Sequence, residues 1–387
     1  MTKIIKFFKV LGIVLCSILI ISFLFILIYS KIGNSKIQAD IEGLGTRLIG
    51  ISSNSIDRTE DHAKIVFSFK GKINAKISLK NTSEVNVTPL FFAKKRIGFN
   101  SRPQRIYFHL DPDSEIIIKG KSSDLSIDYD IIKGNVLSFQ YSELRKIMLP
   151  YLVEESRLYN EQNVLRKTNP EESNRIYKQF DSLRLGVLTT LRTEWAKRHL
   201  NYELAPRYFL ESHVPKDTVI KYFSLLLKNV RESEYGQILE GIVTGWAKTL
   251  KGESAPNFEQ YTNLNEPFEL AVLKGKYVVL DFWGSWCGPC IAGIPKMKEY
   301  YDKYNDKLEI VWIACNDKKN DWEKAIREYQ LNWINILNDK SIIDISTLYG
   351  VTSYPTKFII DKDGKIMEKF VGEGADFYKM INEIMQQ

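Results

Sequence analysis

The chain has 387 residues, a length that predicts two or three domains at about 150 residues per domain. Hydrophobic residues make up 44% and charged residues 26%, and there are only 4 cysteines, so a disordered chain and a small disulfide-stapled fold are both excluded. The net charge of the chain is +7, but residues 253–387 hold 16 basic and 21 acidic residues and so carry −5, which leaves +12 on the rest of the chain. Because a nucleic-acid-binding module concentrates basic charge, nucleic acid is not an expected partner.

The N-terminal segment predicts a membrane anchor. Three lysines within residues 1–9 precede twenty uncharged residues, Val10 to Tyr29, and a helix of that length spans about 30 Å, the thickness of the hydrocarbon core of a bilayer. The lysines favour a cytoplasmic tail over 1–9 and a transmembrane helix over 10–29. We therefore expect a single-pass protein of the inner (cytoplasmic) membrane with periplasmic or otherwise extracytoplasmic C-terminal domains. A cleaved signal peptide is the alternative.

The next part of the chain carries no chemical motif. Residues 30–62 are polar and predict a linker, and the alternating apolar residues over 63–140 predict a small antiparallel β domain. Residues 141–252 predict a helical region, with a helix start at Thr168–Glu172. After this helix start, apolar residues recur every three or four positions and predict one apolar helix face that packs against the core or another domain: Ile176, Phe180, Leu183, Val187, Leu191 and Trp195. The four histidines, scattered without ligand spacing, receive no role: His62, His109, His199 and His213.

A third domain is predicted over residues 253–387, where strands alternate with helices. Predicted strands cover 277–282, 308–315, 334–337, 356–361 and 365–371, and predicted helices cover 290–304, 321–330 and 341–349, with one more at the C-terminus. The segment Asp361–Gly364 is a hairpin signal between the last two strands. Strands that alternate with helices and end in a hairpin indicate an α/β sandwich.

Two cysteines at a strand-to-helix junction carry the chemistry. Cys287 and Cys290 are separated by Gly288 and Pro289, directly after an apolar strand. The N-terminus of a helix stabilises a thiolate, and a second sulfur one turn later can close a disulfide with the first. This spacing predicts reversible oxidation, in which Cys287 attacks a substrate disulfide and Cys290 resolves the mixed disulfide. Half of a zinc site and a static structural disulfide are the alternatives; zinc lacks further ligands here, and no metal or cofactor is predicted.

The segment Phe282–Cys290 resembles the active-site segment of the thioredoxin superfamily. Over residues 253–387 the chain looks like the membrane-tethered TlpA/ResA-type thiol–disulfide oxidoreductases. The resemblance implies an α/β thioredoxin-like fold, a buried acid at Asp281, a helix kink at Pro295 and a cis proline at Pro355 in the segment Ser353–Thr356.

The resemblance also implies roles for single residues. Burial would raise the pKa of Asp281, which could then take the proton of Cys290. The Tyr354 backbone and Pro355 would receive an extended substrate strand, and Trp286 would supply an apolar rim. Two positions depart from the family pattern: Tyr261 stands where many relatives have a glutamate, and Ile313 where thioredoxin often has a lysine. Cys315, at the end of a strand, is interpreted as a small buried hydrophobe.

The predicted function is an exported disulfide reductase. Gly-Pro between the cysteines is the dipeptide of thioredoxin (about −270 mV) and not of the oxidant DsbA (about −120 mV). A reductant outside the cytoplasm needs electrons, which implies a membrane thiol-reductant donor as a partner and disulfide-bearing exported proteins as substrates. There are three alternatives: an oxidase or isomerase with the same site, a surface binding protein with an accessory thioredoxin domain, and a thiol peroxidase. The peroxidase is disfavoured because no proline precedes Cys287 at the required offset.

Overall fold

A computed structural model describes residues 22, 24–56, 60–90, 105–122, 127–211, 214–340 and 343–386. The chain forms two compact units, Met1–Tyr208 and Phe209–Gln387. The predicted cytoplasmic tail and most of the predicted anchor lie outside the described residues, and the described residues 24–29 are helical. Among the helices within the described ranges, none is both long enough and apolar enough to cross a membrane.

The described part of the first unit contains two four-stranded sheets whose inner faces share one core. The sheet orders are β4-β1-β7-β8 and β3-β2-β5-β6, and buried residues of both sheets, among them Ile37, Ile49, Phe108 and Ile116, belong to a single hydrophobic cluster. The strands are β1 Ser35–Glu42, β2 Arg47–Ser55, β3 Asp61–Ser68, β4 Lys72–Ile77, β5 Ser83–Leu90, β6 Ile106–Leu110, β7 Glu115–Ser122 and β8 Ile127–Lys133.

The β region differs from the prediction in two ways. β1 and β2 occupy most of the predicted linker over 30–62, so the β domain begins near residue 35 and not at 63. Its alternation is regular, with Ile37, Ala39 and Ile41 buried, but the intervening Lys36, Gln38 and Asp40 lower the average hydropathy of the segment. In addition, β1 pairs with β7 in parallel, so the unit is not purely antiparallel.

Helices complete the first unit. They cover Val136–Leu165, Pro170–Asp181 and Thr189–Arg198, and Ala205–Phe209 reaches the boundary with the second unit. The predicted start is confirmed, because Asn169 caps the second of these helices and its Oδ1 accepts a hydrogen bond from Glu172 N at 3.2 Å. A π-helical segment over Ser182–Leu188 interrupts the predicted apolar stripe. Its wider turn advances the buried face by one residue, so Leu188 is buried and Val187 is 39% exposed.

The second unit begins earlier than the predicted boundary at 252/253. Helices at Lys216–Leu225, Lys228–Arg231 and Glu234–Lys248 belong to it. Trp246 donates from Nε1 to Gly350 O at 2.6 Å, and Thr249 Oγ1 lies 3.4 Å from Tyr349 O. These residues therefore pack with the α/β part of the chain and are not only a preceding helical region.

A five-stranded sheet forms the centre of the second unit, in the order β13-β12-β11-β14-β15. β11 Tyr277–Trp283, β12 Leu308–Ala314 and β13 Ile334–Leu337 are parallel, and β14 Thr356–Ile360 and β15 Ile366–Val371 are antiparallel additions. Helices cover Gly288–Tyr304, Lys319–Tyr329, Ile345–Leu348 and Ala375–Met385, and two short strands, β9 Glu259–Tyr261 and β10 Pro267–Glu269, precede the sheet. The predicted strand and helix order of this α/β domain is confirmed.

Candidate active site

The two cysteines of the predicted site form a disulfide at the start of a helix. Cys287 is the N-cap of the helix Gly288–Tyr304, and its Sγ accepts a hydrogen bond from Cys290 N at 3.3 Å. Gly288 and Pro289 form the first turn, in which proline costs no hydrogen bond because N–H groups there have no helical acceptor. Each cysteine is only 4% exposed. The positive end of the helix thus faces Cys287, and would stabilise its thiolate after reduction.

A partly exposed aromatic rim lies beside the disulfide. Trp286 is 53% exposed, and its ring meets that of Tyr354 edge to face at 5.5 Å between centroids. The Tyr354–Pro355 peptide bond is cis, as the resemblance implied. The structure therefore brings together the three predicted substrate-binding residues.

The end of β12 holds the loop that carries Trp286. Trp286 Nε1 donates to Cys315 O at 3.1 Å, and Asp317 accepts hydrogen bonds from Ser285 N at 2.6 Å and from Ser285 Oγ at 2.8 Å. Asp317 was not predicted from the sequence, because nothing local indicates that its carboxylate meets a loop 32 residues away. Its role is to fix the loop and thereby the orientation of the indole.

Asp281 lies on the sheet face that supports the disulfide. Side chains alternate along β11, and Val279 and Trp283, which flank Asp281 on its own face, share a hydrophobic cluster with Cys287 and Cys290. The opposite face, with Val278, Leu280 and Phe282, packs in a separate cluster. The topology therefore supports the placement of Asp281 as the acid on the disulfide side of the sheet.

Burial changes the acid–base behaviour of Asp281. The residue is 2% exposed, and Oδ1 accepts no hydrogen bond from any residue within the described ranges. Desolvation raises the pKa of Asp281 to about 7 from 3.8, and the nearby Lys357 ammonium opposes this rise without cancelling it. A carboxyl group with a pKa near neutrality can both accept and release a proton at physiological pH.

The lysine partner of Asp281 comes from β14 and not from position 313, where the family resemblance placed it. Ile313 packs on the opposite face of the sheet, whereas Lys357 stands opposite Asp281 in the β11–β14 pair. Lys357 Nζ lies 3.5 Å from Asp281 Oδ2, and both side chains are 2% exposed. One signal was available: Lys357 is the only charged residue of the buried strand Thr356–Ile360.

A second carboxylate, that of Glu373, also reaches Lys357. Glu373 Oε2 forms an ion pair with Lys357 Nζ, and Oε1 accepts a hydrogen bond from Tyr378 OH at 3.0 Å. The Glu373 side chain is 23% exposed, so it is the solvent-facing member of the group. Its distance in sequence from Asp281 hid this contact from sequence analysis.

The other positions singled out in the sequence lie in a helix, on a short strand and in the apolar core. Pro295 lies inside the helix Gly288–Tyr304, and Tyr261 is half-exposed on β9. Cys315 is fully buried among apolar side chains, and that burial raises the pKa of its thiol. Across the part of the chain that the structure describes, which excludes His213, no three His, Cys, Asp or Glu side chains cluster as metal ligands.

Comparison with known proteins identifies relatives of the C-terminal part. Residues 275–366 match the family described as thioredoxin-like. Thiol-disulfide oxidoreductase ResA from Bacillus cereus is 38% identical over 137 residues, which are 35% of this chain and 78% of the relative. ResA from Bacillus subtilis is 31% identical over 150 residues, 38% of this chain and 81% of the relative.

Comparison with solved structures finds similar chains over about a third of this chain. A thiol:disulfide interchange protein of the thioredoxin family from Chlorobium tepidum is 27% identical, with a TM-score of 0.32, over 35% of this chain and 97% of its own. The thioredoxin domain of a thiol-disulfide oxidoreductase from Bacteroides vulgatus is 27% identical, with a TM-score of 0.33, over 35% of this chain and 97% of its own.

Proposed function

The chain belongs to the ResA-like family of thiol-disulfide oxidoreductases, and we propose that it reduces disulfides of exported proteins through the dithiol of Cys287 and Cys290. One arrangement supports this proposal above all others. The cysteine pair sits at the positive end of a helix, on the sheet face that also carries a buried carboxyl group with a near-neutral pKa.

The reaction follows from the positions of the two sulfurs. In the reduced protein, the Cys287 thiolate attacks a substrate disulfide, forms a mixed disulfide and releases one substrate thiolate. The Cys290 thiol then loses its proton and attacks Cys287 Sγ, which closes the disulfide and releases the second substrate thiolate. The substrate gains two electrons, and the protein becomes oxidised.

Asp281 is the proposed acceptor of the Cys290 proton. General-base assistance is most effective when the pKa of the base lies near the operating pH, and the pKa of Asp281 is about 7. Trp286, Tyr354 and Pro355 are the proposed contacts for the substrate chain, because they form the rim beside the cysteines. Gly288, Pro289 and Pro295 shape the helix that carries the pair.

The proposed location is the outer side of the inner (cytoplasmic) membrane, with residues 10–29 as a single-pass anchor. The twenty uncharged residues and the preceding lysines support this location. A reductant outside the cytoplasm requires a membrane thiol-reductant donor to regenerate its dithiol. Protease accessibility in spheroplasts tests the location, since an extracytoplasmic C-terminal part would be digested without lysis.

The reduction potential of the cysteine pair tests the direction of electron flow. We expect a value below about −230 mV in a fragment starting near Lys31, equilibrated in glutathione or dithiothreitol buffers and monitored by tryptophan fluorescence. A value of about −120 to −180 mV would instead favour an oxidase or isomerase with the same site.

Substitution of each cysteine tests the assigned roles. Cys290→Ser is expected to accumulate substrate proteins as mixed disulfides with Cys287, because the resolving thiol is absent. Cys287→Ser is expected to abolish both turnover and trapping, and Cys315→Ser, which removes the buried free thiol, serves as the matched control. Non-reducing electrophoresis of membrane extracts measures the adducts. Full biological function in both active-site variants would favour the binding-protein alternative.

A further inference from the structure

The group formed by Asp281, Lys357 and Glu373 has more negative than positive charge. One ammonium faces two carboxylates in a region where Asp281 and Lys357 are each 2% exposed. When two carboxyl groups share one cation, the more buried of them loses most by ionisation and is the one that holds a proton most readily. Glu373 retains contact with solvent and is therefore the better partner for Lys357.

The geometry agrees with this division of charge. Lys357 Nζ is closer to Glu373 Oε2 than to Asp281 Oδ2, from which it is separated by 3.5 Å. Both carboxylates favour the charged form of Lys357 and raise its pKa despite burial. Asp281 consequently faces a full positive charge that is already paired with another carboxylate.

The active-site helix leaves space for Glu373. Gly293, three residues after Cys290, directs no side chain towards the sheet, and a Cβ atom at this position would overlap Glu373 Oε1. The hydrogen bond from Tyr378 OH to the same oxygen holds the carboxylate there. Glu373 thus contacts the helix that carries the cysteines, one turn from the resolving sulfur.

We propose that Glu373 is a positioning residue for disulfide exchange: it draws the Lys357 ammonium away from Asp281 and so keeps Asp281 available as the proton acceptor for Cys290. This inference rests on the proposed function of the Cys287–Cys290 pair. During resolution the proton leaves Cys290 Sγ and binds Asp281, the new bond forms between the two cysteine sulfurs, and Lys357 and Glu373 remain an ion pair throughout.

No other described group near Asp281 can take the place of Glu373 as the partner of Lys357. Across β12, Asp281 stands opposite Trp312, which has no titratable group. The helix Ala375–Met385 contributes Tyr378, whose pKa is raised by burial and by Glu373, so it stays neutral near pH 7. From the active-site helix, Lys296 Nζ lies over the Tyr378 ring at 4.3 Å, and the charged groups that change the pKa of Asp281 are Lys357 and Glu373.

Two substitutions in the full-length protein are expected to change the pH dependence in opposite directions. Glu373→Gln removes a negative charge and frees Lys357 to pair with Asp281, so the pKa of Asp281 should fall by about one unit or more. Lys357→Met removes the ammonium that lowers the pKa of Asp281, and the pKa of Asp281 should rise by a similar amount. If Glu373 had only a structural role, the two substitutions would not shift the pKa of Asp281 in opposite directions.

The measurement is the rate at which the mixed disulfide is resolved, followed in single turnovers of the reduced protein with an aromatic disulfide from pH 5 to pH 9. We expect the midpoint of the wild-type profile near pH 7, a lower midpoint for Glu373→Gln and a higher one for Lys357→Met. Gly293→Ala should shift the midpoint in the same direction as Glu373→Gln, because the added Cβ displaces the carboxylate. Glu368→Gln, an equal charge change on β15 at a partly exposed side chain, should leave the midpoint unchanged.

Three outcomes would overturn the inference. An unchanged midpoint in Glu373→Gln, or midpoints that move the same way in Glu373→Gln and Lys357→Met, would show that Glu373 does not control Asp281. The third outcome is a shifted midpoint in Glu373→Gln together with an unchanged midpoint in Gly293→Ala. It would show that the Glu373 carboxylate does not act from its position against the active-site helix. In each of these cases the wild-type protein still resolves the mixed disulfide; failure of the wild type to do so would contradict the proposed function itself.

Discussion

At the scale of single residues, the electrostatics of Asp281 determine how the site handles protons. The carboxyl group is buried, has one unpaired oxygen among the described residues and shares its only nearby cation with Glu373. Ionisation of such a group is costly in a medium of low polarity. Its near-neutral pKa is therefore a consequence of position on the sheet and not of the residue type.

The raised pKa of Asp281 predicts a pH-dependent contribution to stability. Folding favours the protonated form, so the free energy of unfolding should fall as pH rises from about 4 to about 7 and should level off above that. Asp281→Asn lacks this dependence. Its free energy of unfolding relative to wild type should therefore increase by about 4 kcal/mol between about pH 4 and pH 7, at 1.36 kcal/mol per pKa unit.

Denaturant titrations of the oxidised protein at several pH values measure this difference. Asp363→Asn, a substitution in the exposed turn after β14, is the matched control and should show a nearly constant difference from wild type. A constant difference for Asp281→Asn as well would mean that Asp281 is ionised in the folded protein throughout, contrary to the burial argument.

At the scale of elements, the helix Glu234–Lys248 packs closely against the α/β part of the second unit, although no function is assigned to this helix. A Cβ at Gly245 would lie 2.5 Å from Thr347 O and 2.6 Å from Gly350 N, so the helix meets the backbone of residues 347–350 directly. Only glycine permits this approach. The hydrogen bond from Trp246 Nε1 to Gly350 O then fixes the rotation of the helix.

Substitution of Gly245 tests this contact. In an exposed helix, Gly→Ala stabilises by about 1 kcal/mol through helix propensity, but at Gly245 the overlap with backbone atoms should outweigh that gain and destabilise by about 1–3 kcal/mol. The control is Gly186→Ala, because a Cβ at Gly186 meets no atom within 4 Å. Thermal unfolding measures both, and a stabilised Gly245→Ala would disprove the close contact.

The elements were predicted best where short-range patterns decide them. The strands of the central sheet are mostly apolar segments bounded by turn signals, and the ends of all five were predicted to within two residues. The π-helical segment was not predictable, because it depends on which residue can be buried after the preceding helix has already packed. The parallel pairing of β1 with β7 was likewise hidden, since it joins strands about 80 residues apart.

At the scale of the whole molecule, the chain consists of two compact units, with the boundary at 208/209. Residues 209–252 therefore belong with the thioredoxin-like part, although they lie outside the residues that match the thioredoxin-like family. The chain at the end of this segment also joins the sheet, since Ile366 N donates to Glu253 O at 2.9 Å and Gly252 N donates to Ile366 O at 2.8 Å.

Two fragments test this boundary. A fragment of residues 209–387 is expected to melt at least about 5 °C above a fragment of residues 253–387, because the shorter one loses the buried Trp246 side chain, a contribution of about 2–3 kcal/mol. Calorimetry on both, in the oxidised state, measures the difference. Equal melting temperatures would show that residues 209–252 add no stability to the thioredoxin-like part.

The amino-acid sequence is enough to predict the redox pair, its place at a strand-to-helix junction and the order of strands and helices around it, because each depends on residues within a few positions of one another. The folded chain was needed to show that Lys357, and not a residue of β12, faces Asp281 and that Glu373 completes the group. It was also needed to show that β1 pairs with β7 in the first unit and that residues 209–252 belong to the second. These features depend on pairing between distant segments. Such pairing is set by the burial and register of the entire sheet, which no local pattern contains.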